Sequence, residues 1–294
     1  MRAKESEILG RRTLLTAGTA TAAALLTGAP AHAATTDRLR ELESRHGARL
    51  GVFAHNLATG QTVRHRADER FPICSLFKTL AAAAVLRDLD QDGEVLDKRI
   101  HYTADDVVEN SDITEDHVAT GMTVRELADA AIRFSDNTAS NLLLRELGGP
   151  TAITRFARSL GDPVTRLDRW EPHLNSAEPW RVTDTTTPCA IGRTYARLVL
   201  GDALNRPDRD LLTHWLLNNT TSVNRFRAGL PESWALADKT GGGSYGTNND
   251  AGIAWTEDGT PLVLVVQTTK PEQGAAPDHA LIVKTAELLA DTLT

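Results

Sequence analysis

The segment SWALADKTGGGSYGTNNDAGIAWTEDGTPLVLVVQTT, residues 233–269, decides the fold. It holds three strand-like runs, SWALADKTGG, DAGIAWTE and PLVLVVQTT, separated by turns such as Asp258-Gly259. A hairpin stands near the other end of the chain. There RLGVFAHNLATGQTVRHRAD, from Arg49, alternates apolar and polar residues and turns at Thr59-Gly60. Between about 104 and 217 no convincing strand appears, only helical periodicity. The sheet is therefore expected to draw strands from both chain ends. The prediction is an α+β fold, an antiparallel sheet covered by terminal helices (35–47, and from about Asp278), with an all-α insertion.

Inside the insertion, helix signals are local. A helical pattern runs from Ser75 to Leu89. TVRELADAAIRF (123–134) opens with Thr123 and Glu126, a capping-box pair. TASNLLLRELGG (138–149) ends on glycines, and PTAITRFARSLGD (150–162) begins on proline. Residues 163–187 lack periodicity and read as one long loop, a length usually tied to function or disorder. Helices follow around 188–201 and 208–217. The expected domains are 34–69 with 218–294 for the sheet, and 70–217 for the helices.

The first 33 residues read as an export signal. Arg11 and Arg12 precede a weakly apolar run ending in Ala31-His32-Ala33, a small-x-small cleavage pattern. The paired arginines indicate the twin-arginine route, hence a secreted or periplasmic product without stable membrane association. Cleavage after Ala33 removes four basic and two acidic residues, taking the net charge from −7 to about −9. An acidic chain without basic clusters is a poor nucleic-acid binder. Cys74 and Cys189 read as two buried free thiols.

Metal chemistry finds no support in spacing. The nine histidines include no His-x-His, His-x-x-His or i, i+4 pair, so no metal or other cofactor is expected. No Gly-x-Ser-x-Gly elbow is present either. FPICSLFKTL (71–80) offers a different nucleophile. Ser75 and Lys78 stand at i, i+3, on one helix face. The alternative reading of Ser75 is a helix cap. Lysine serves as a base only where burial or charge destabilises its ammonium, and Phe77 and a run of alanines surround it. Of 11 serines, only Ser75 is followed by Lys at the third position. Three more clusters follow in order: Ser135-Asp136-Asn137, Trp170-Glu171-Pro172-His173-Leu174-Asn175, and Lys239-Thr240-Gly241. Alone they read as an N-cap group, a proline turn and an edge-strand lysine that discourages pairing.

Together these stretches resemble the class A serine β-lactamases, over essentially all of residues 34–294. The resemblance implies a β-lactamase/D,D-peptidase-like, three-layer α/β/α arrangement with a five-stranded sheet. It also implies a monomer that opens the β-lactam ring of penicillin-type antibiotics and confers resistance to them. On this reading Ser75 is acylated, Lys78 takes part in proton transfer, and Ser135 passes a proton to the leaving nitrogen. Asn137 binds the substrate side-chain amide, while Lys239 and Thr240, with Gly241 and Gly242 beside them, recognise its carboxylate. The N–H groups of Ser75 and Gly242 form the oxyanion hole. Glu171 activates the deacylating water, which Asn175 helps to hold. Either Lys78 or Glu171 is the base for acylation. Arg169 and Asp184 match the ion pair at the base of the loop. Asn248 stands where many members carry a carboxylate-binding arginine, and Arg225 is expected to compensate. Cys74 invites a disulfide, but its usual partner position holds Gly243, so none is expected. A D,D-peptidase would share Ser75, Lys78, Ser135, Asn137 and Lys239 but lack the Glu171–Asn175 pair. A β-lactam sensor would stay acylated and normally needs a tether.

Overall fold

The computed structural model describes residues 28–294, so most of the expected export signal lies outside the described residues. The longer helices are α1 (Gly28–His46), α2 (Phe77–Ala84), α3 (Val124–Arg133), α4 (Asn137–Glu146), α5 (Thr151–Ser159), α6 (Pro188–Val199), α7 (Arg206–Leu217) and α8 (His279–Leu293). Five strands form the main sheet: β1 (Arg49–Asn56), β2 (Thr62–His65), β3 (Ala235–Gly243), β4 (Thr247–Trp255) and β5 (Pro261–Thr269). Their spatial order is β2-β1-β5-β4-β3, antiparallel throughout.

Alternation along the strands creates two cores. Leu262, Leu264 and Val266 join Val52 and Ala54 under α1 and α8 on one face. Val263, Val265, Phe53 and Ile253 face the other way, into the large core shared with the helical insertion. Helix α6 can lie tight on that second face because Gly192 meets the Phe53 ring, where a Cβ would stand 2.7 Å from it. Helix α2 is buried along its whole length, including Lys78. Its alanines favour the helix and let neighbouring helices approach closely.

The capping box on α3 forms as predicted, with Glu126 N–H on Thr123 Oγ1 at 3.2 Å and Thr123 N–H on Glu126 Oε2 at 2.7 Å. Two expectations need correction. The stretch 104–217 does contain extended residues, in two-residue ladders that join Met122–Thr123 to Arg99–Ile100 and Thr185–Thr186 to Phe71–Pro72. They are too short for alternation to show. Strand β4 also begins at Thr247, three residues before the predicted run. Asn249 is tolerated inside it because its amide donates to Pro72 O at 2.9 Å.

Candidate active site

The approach to Ser75 is a short 3-10 turn, Cys74–Leu76, leading into α2. Cys74 adopts φ of +45°, a conformation that costs a residue with a Cβ and persists where the surroundings fix it. Here Ile73 N–H is held by Asp184 O at 2.9 Å, and strand β3 presses on the turn from the other side. Gly241 makes that approach possible: a Cβ there would stand 3.3 Å from Ser75 N and 3.2 Å from Cys74 Cβ. Ser75 therefore sits between the helix start and the Lys239–Gly243 end of β3. Both cysteines are free and buried, as read from the sequence.

One turn later Lys78 is fully buried. Its Nζ donates to Asn137 Oδ1 at 2.6 Å and to Ser135 O at 2.7 Å, and lies 3.2 Å from Glu171 Oε1. Ser135 Oγ is 3.4 Å away. Among the described residues the hydrogen bonds of this nitrogen go to Ser135 and Asn137 and not to Ser75. Three acceptors around one Nζ match the three protons of an ammonium. Burial lowers the Lys78 pKa below its ordinary value, and the Glu171 carboxylate opposes that shift.

The Ser135-Asp136-Asn137 cluster serves two ends at once. Asp136 is the N-cap of α4, accepting Ala139 N–H at 2.8 Å. Ser135 takes φ of +59°, which lets its carbonyl reach Lys78. The cap reading holds for the aspartate, while its two neighbours turn toward the lysine.

Glu171 reaches the site from the long loop and is almost wholly buried. Asn175 Nδ2 donates to its Oε2 at 2.5 Å. Asn141, on α4, clamps its backbone in both directions: Nδ2 to Glu171 O at 2.9 Å, and Glu171 N–H to Oδ1 at 3.0 Å. Asn141 is not among the residues the sequence singles out, since a polar residue inside a helix carries no local signal of a partner thirty positions on. The loop base is tied by Arg169 Nε to Asp184 Oδ2 at 2.6 Å. Asp184 Oδ1 also accepts the N–H groups of Asp168 and Arg169. Since Asp184 is buried, Asp184→Asn should lower stability by about 3 kcal/mol. A fall of roughly 5–10 °C in the melting midpoint would register it; an unmoved midpoint would show that the pair contributes nothing.

Lys239 lies on β3, an edge strand, yet is fully buried. That overturns the reading of it as an exposed edge charge. Its Nζ donates to Thr240 O at 3.1 Å. Burial lowers its pKa well below the ordinary lysine value, with Lys78 adding to the effect. Arg225 donates from Nε to Asn248 Oδ1 at 2.6 Å and from Nη1 to Thr221 O at 2.6 Å. Thr221 Oγ1 in turn bonds Thr240 Oγ1 at 2.5 Å. So Arg225 and the residue at 248 meet, and both join the Lys239–Thr240 strand. Volume alone would point elsewhere: a cavity of about 510 Å³, lined in part by Asn56, Trp234 and Thr256, lies at the opposite end of the strands.

The sequence profile of the β-lactamase enzyme family matches residues 34–293. A β-lactamase of Streptomyces cellulosae is 59% identical over 306 residues, covering 99% of this chain and 98% of that one. One from Streptomyces fradiae is 61% identical over 94% of each chain. The solved β-lactamase structure from Streptomyces albus G superposes with a TM-score of 0.88 at 62% identity, covering 89% of this chain and all of that one.

Proposed function

The chain belongs to the β-lactamase enzyme family, class A, and from that premise we propose that it opens the ring of penicillin-type β-lactams through an ester on Ser75 that water activated by Glu171 releases. The observation that carries this reading is the convergence on Lys78 Nζ of Ser135 and Asn137 from one cluster and of Glu171 from the long loop, segments far apart in sequence.

The substrate carboxylate meets Lys239, Thr240 and Arg225, and its side-chain amide meets Asn137. The lactam carbonyl oxygen points at the N–H groups of Ser75 and Gly242. Losing one such donor typically costs about 10²–10³ in rate. Ser75 Oγ attacks the carbonyl carbon, and the ring C–N bond breaks as the nitrogen receives a proton from Ser135 Oγ, which takes one in turn from the Lys78 ammonium; Lys78 regains it from Glu171, restoring the carboxylate. At rest the Lys78 ammonium uses its protons on three acceptors, so its nitrogen offers no lone pair to Ser75. That favours Glu171 as the group at which the proton ends, either taken directly from Ser75 or by way of Lys78, which first gives a proton to Glu171 and then takes the one from Ser75. Deacylation then needs a water beside the ester. Asn175 Oδ1 and, apart from the Lys78 ammonium, Glu171 Oε1 are buried acceptors without a donor among the described residues, suited to orient that water. A D,D-peptidase has no use for this pair.

An ammonium at rest has a pH consequence. Because the Lys78 pKa is lowered, kcat should fall on the alkaline side, through a one-proton limb below the ordinary lysine value of 10.5. Lys239 is shifted the same way, but a bound carboxylate protects it at saturating substrate, so its limb belongs to kcat/KM alone. A kcat that rises through the alkaline range would make neutral Lys78 the base instead.

We also infer export as a monomer. Among the described residues no helix is long and apolar enough to cross a membrane. The functional reading is tested by turnover of a panel of penicillins, cephalosporins and carbapenems by the 34–294 protein, followed by intact mass. Turnover without a lasting adduct is expected for penicillins; a stable adduct with no turnover would favour a sensor or peptidase.

A further inference from the structure

Beneath the carboxylate-binding end of β3 lies a pair of acids that the reaction does not use. Asp238 precedes Lys239, and Asp250 stands directly across from Thr240 in the β3–β4 register. Both are fully buried, and their side chains lie within hydrogen-bond reach of each other. Each has one oxygen supplied by the protein: Asn219 Nδ2 donates to Asp238 Oδ2 at 3.1 Å, and Phe226 N–H donates to Asp250 Oδ2 at 3.1 Å. The other two oxygens, Asp238 Oδ1 and Asp250 Oδ1, make no hydrogen bond among the described residues, and the one further hydroxyl donor beside the pair, that of buried Ser222, faces Asp238 alone.

Two ionised carboxylates are acceptors only, and buried at this separation they repel. A single proton between them satisfies both orphaned oxygens and removes the repulsion. We propose that Asp238 and Asp250 share one proton, and that this singly charged pair positions Arg225 and the Lys239–Thr240 strand for the substrate carboxylate. The second half rests on the assignment of those residues to the carboxylate, made above.

The surroundings support this charge state. Burial raises both acids, Asp250 well above the ordinary carboxylate range, and the nearness of Asp238 adds to the rise. The cations facing the pair are Lys239, Arg225 and Arg227, the last 3.7 Å from Asp238 Oδ1; Tyr195 is the remaining titratable neighbour. One negative charge offsets part of the cost of burying Lys239 and Arg225. The link to position is direct: Phe226, held by Asp250, is the residue after Arg225, and Asp238 is the residue before Lys239.

The test combines infrared difference spectroscopy with kinetics on benzylpenicillin. At neutral pH the parent should show the carbonyl stretch of a protonated carboxylic acid that Asp250→Asn lacks. In Asp250→Asn an amide N–H stands where the shared proton stood, so KM should stay within about threefold. Asp250→Val removes both the bridge and the acceptor of Phe226 N–H; it should raise KM about tenfold or more, with a smaller change in kcat. Where Asp250→Val does not fold, the infrared comparison and the KM of Asp250→Asn decide. No difference in the carboxylic-acid band would overturn the shared proton. Equal KM losses in Asn and Val, or a fall in kcat alone, would overturn the positioning role. Arg225→Ala, run alongside, separates the premise. An unchanged KM there would remove Arg225 from the carboxylate site and the positioning role with it, while the infrared band would still decide whether the proton is shared.

Discussion

Mixed with benzylpenicillin, the Glu171→Gln variant should accumulate as a stable ester, visible by intact mass as the protein plus the whole substrate. Turnover should fall by about 10²–10⁴, the usual contribution of a positioned general base. Glutamine is nearly isosteric, so Asn141 can keep its two bonds to the backbone of residue 171 and the loop can stay in place. The 2.5 Å bond from Asn175 depends on the carboxylate oxygen Oε2, and the amide oxygen of glutamine can replace it as acceptor. What the variant cannot do is take a proton. The ion pair at 3.2 Å is also lost, which leaves the buried Lys78 without its counter-charge. Ester formation should therefore slow as well, by a smaller factor if Lys78, now more easily deprotonated, can serve Ser75. Rapid and complete hydrolysis by Glu171→Gln would remove Glu171 from the mechanism.

Much of the site can be read from sequence because its parts are anchored to local features. Ser75 and Lys78 share a helix face by spacing. Ser135 and Asn137 flank a capping aspartate whose type is recognisable. What stays hidden depends on contacts between distant segments. Asn141 gives no local sign, since its role exists only once the loop 163–187 has folded onto α4. Lys239 is picked out by its motif, but taken alone it reads as an edge charge, and nothing in its own strand announces that it is fully buried. Asp238 and Asp250 lie inside two strands where single polar residues are unremarkable; their meeting needs the register of β3 and β4. The same dependence explains the late start predicted for β4. The TNN stretch resembles a turn until the Pro72 carbonyl is placed beside Asn249.

Of the two serines beside Lys78, it is Ser135 whose Oγ is hydrogen-bonded to the lysine, at 3.4 Å, so hydrogen bonding to the base does not by itself point to Ser75. Position relative to developing charge argues for Ser75. Its N–H stands at the start of the turn into α2, where the dipole favours an anion, and Gly241 lets β3, which carries the proposed second donor Gly242, approach it closely. Ser135, hydrogen-bonded to Lys78, is suited to the relay role proposed above. Ser75→Ala should accordingly abolish covalent labelling by benzylpenicillin and lower turnover by about 10⁵-fold or more, as expected when the nucleophile of a cooperating group is removed. Reversible binding should persist, because Asn137, Lys239, Thr240 and Arg225 are untouched, and it can be measured by competition with a fluorescent β-lactam on this variant. Ser135→Ala should still be labelled, with slower release of the lactam nitrogen. Labelling that survives in Ser75→Ala and disappears in Ser135→Ala would exchange the two roles and make the 3.4 Å contact the catalytic one.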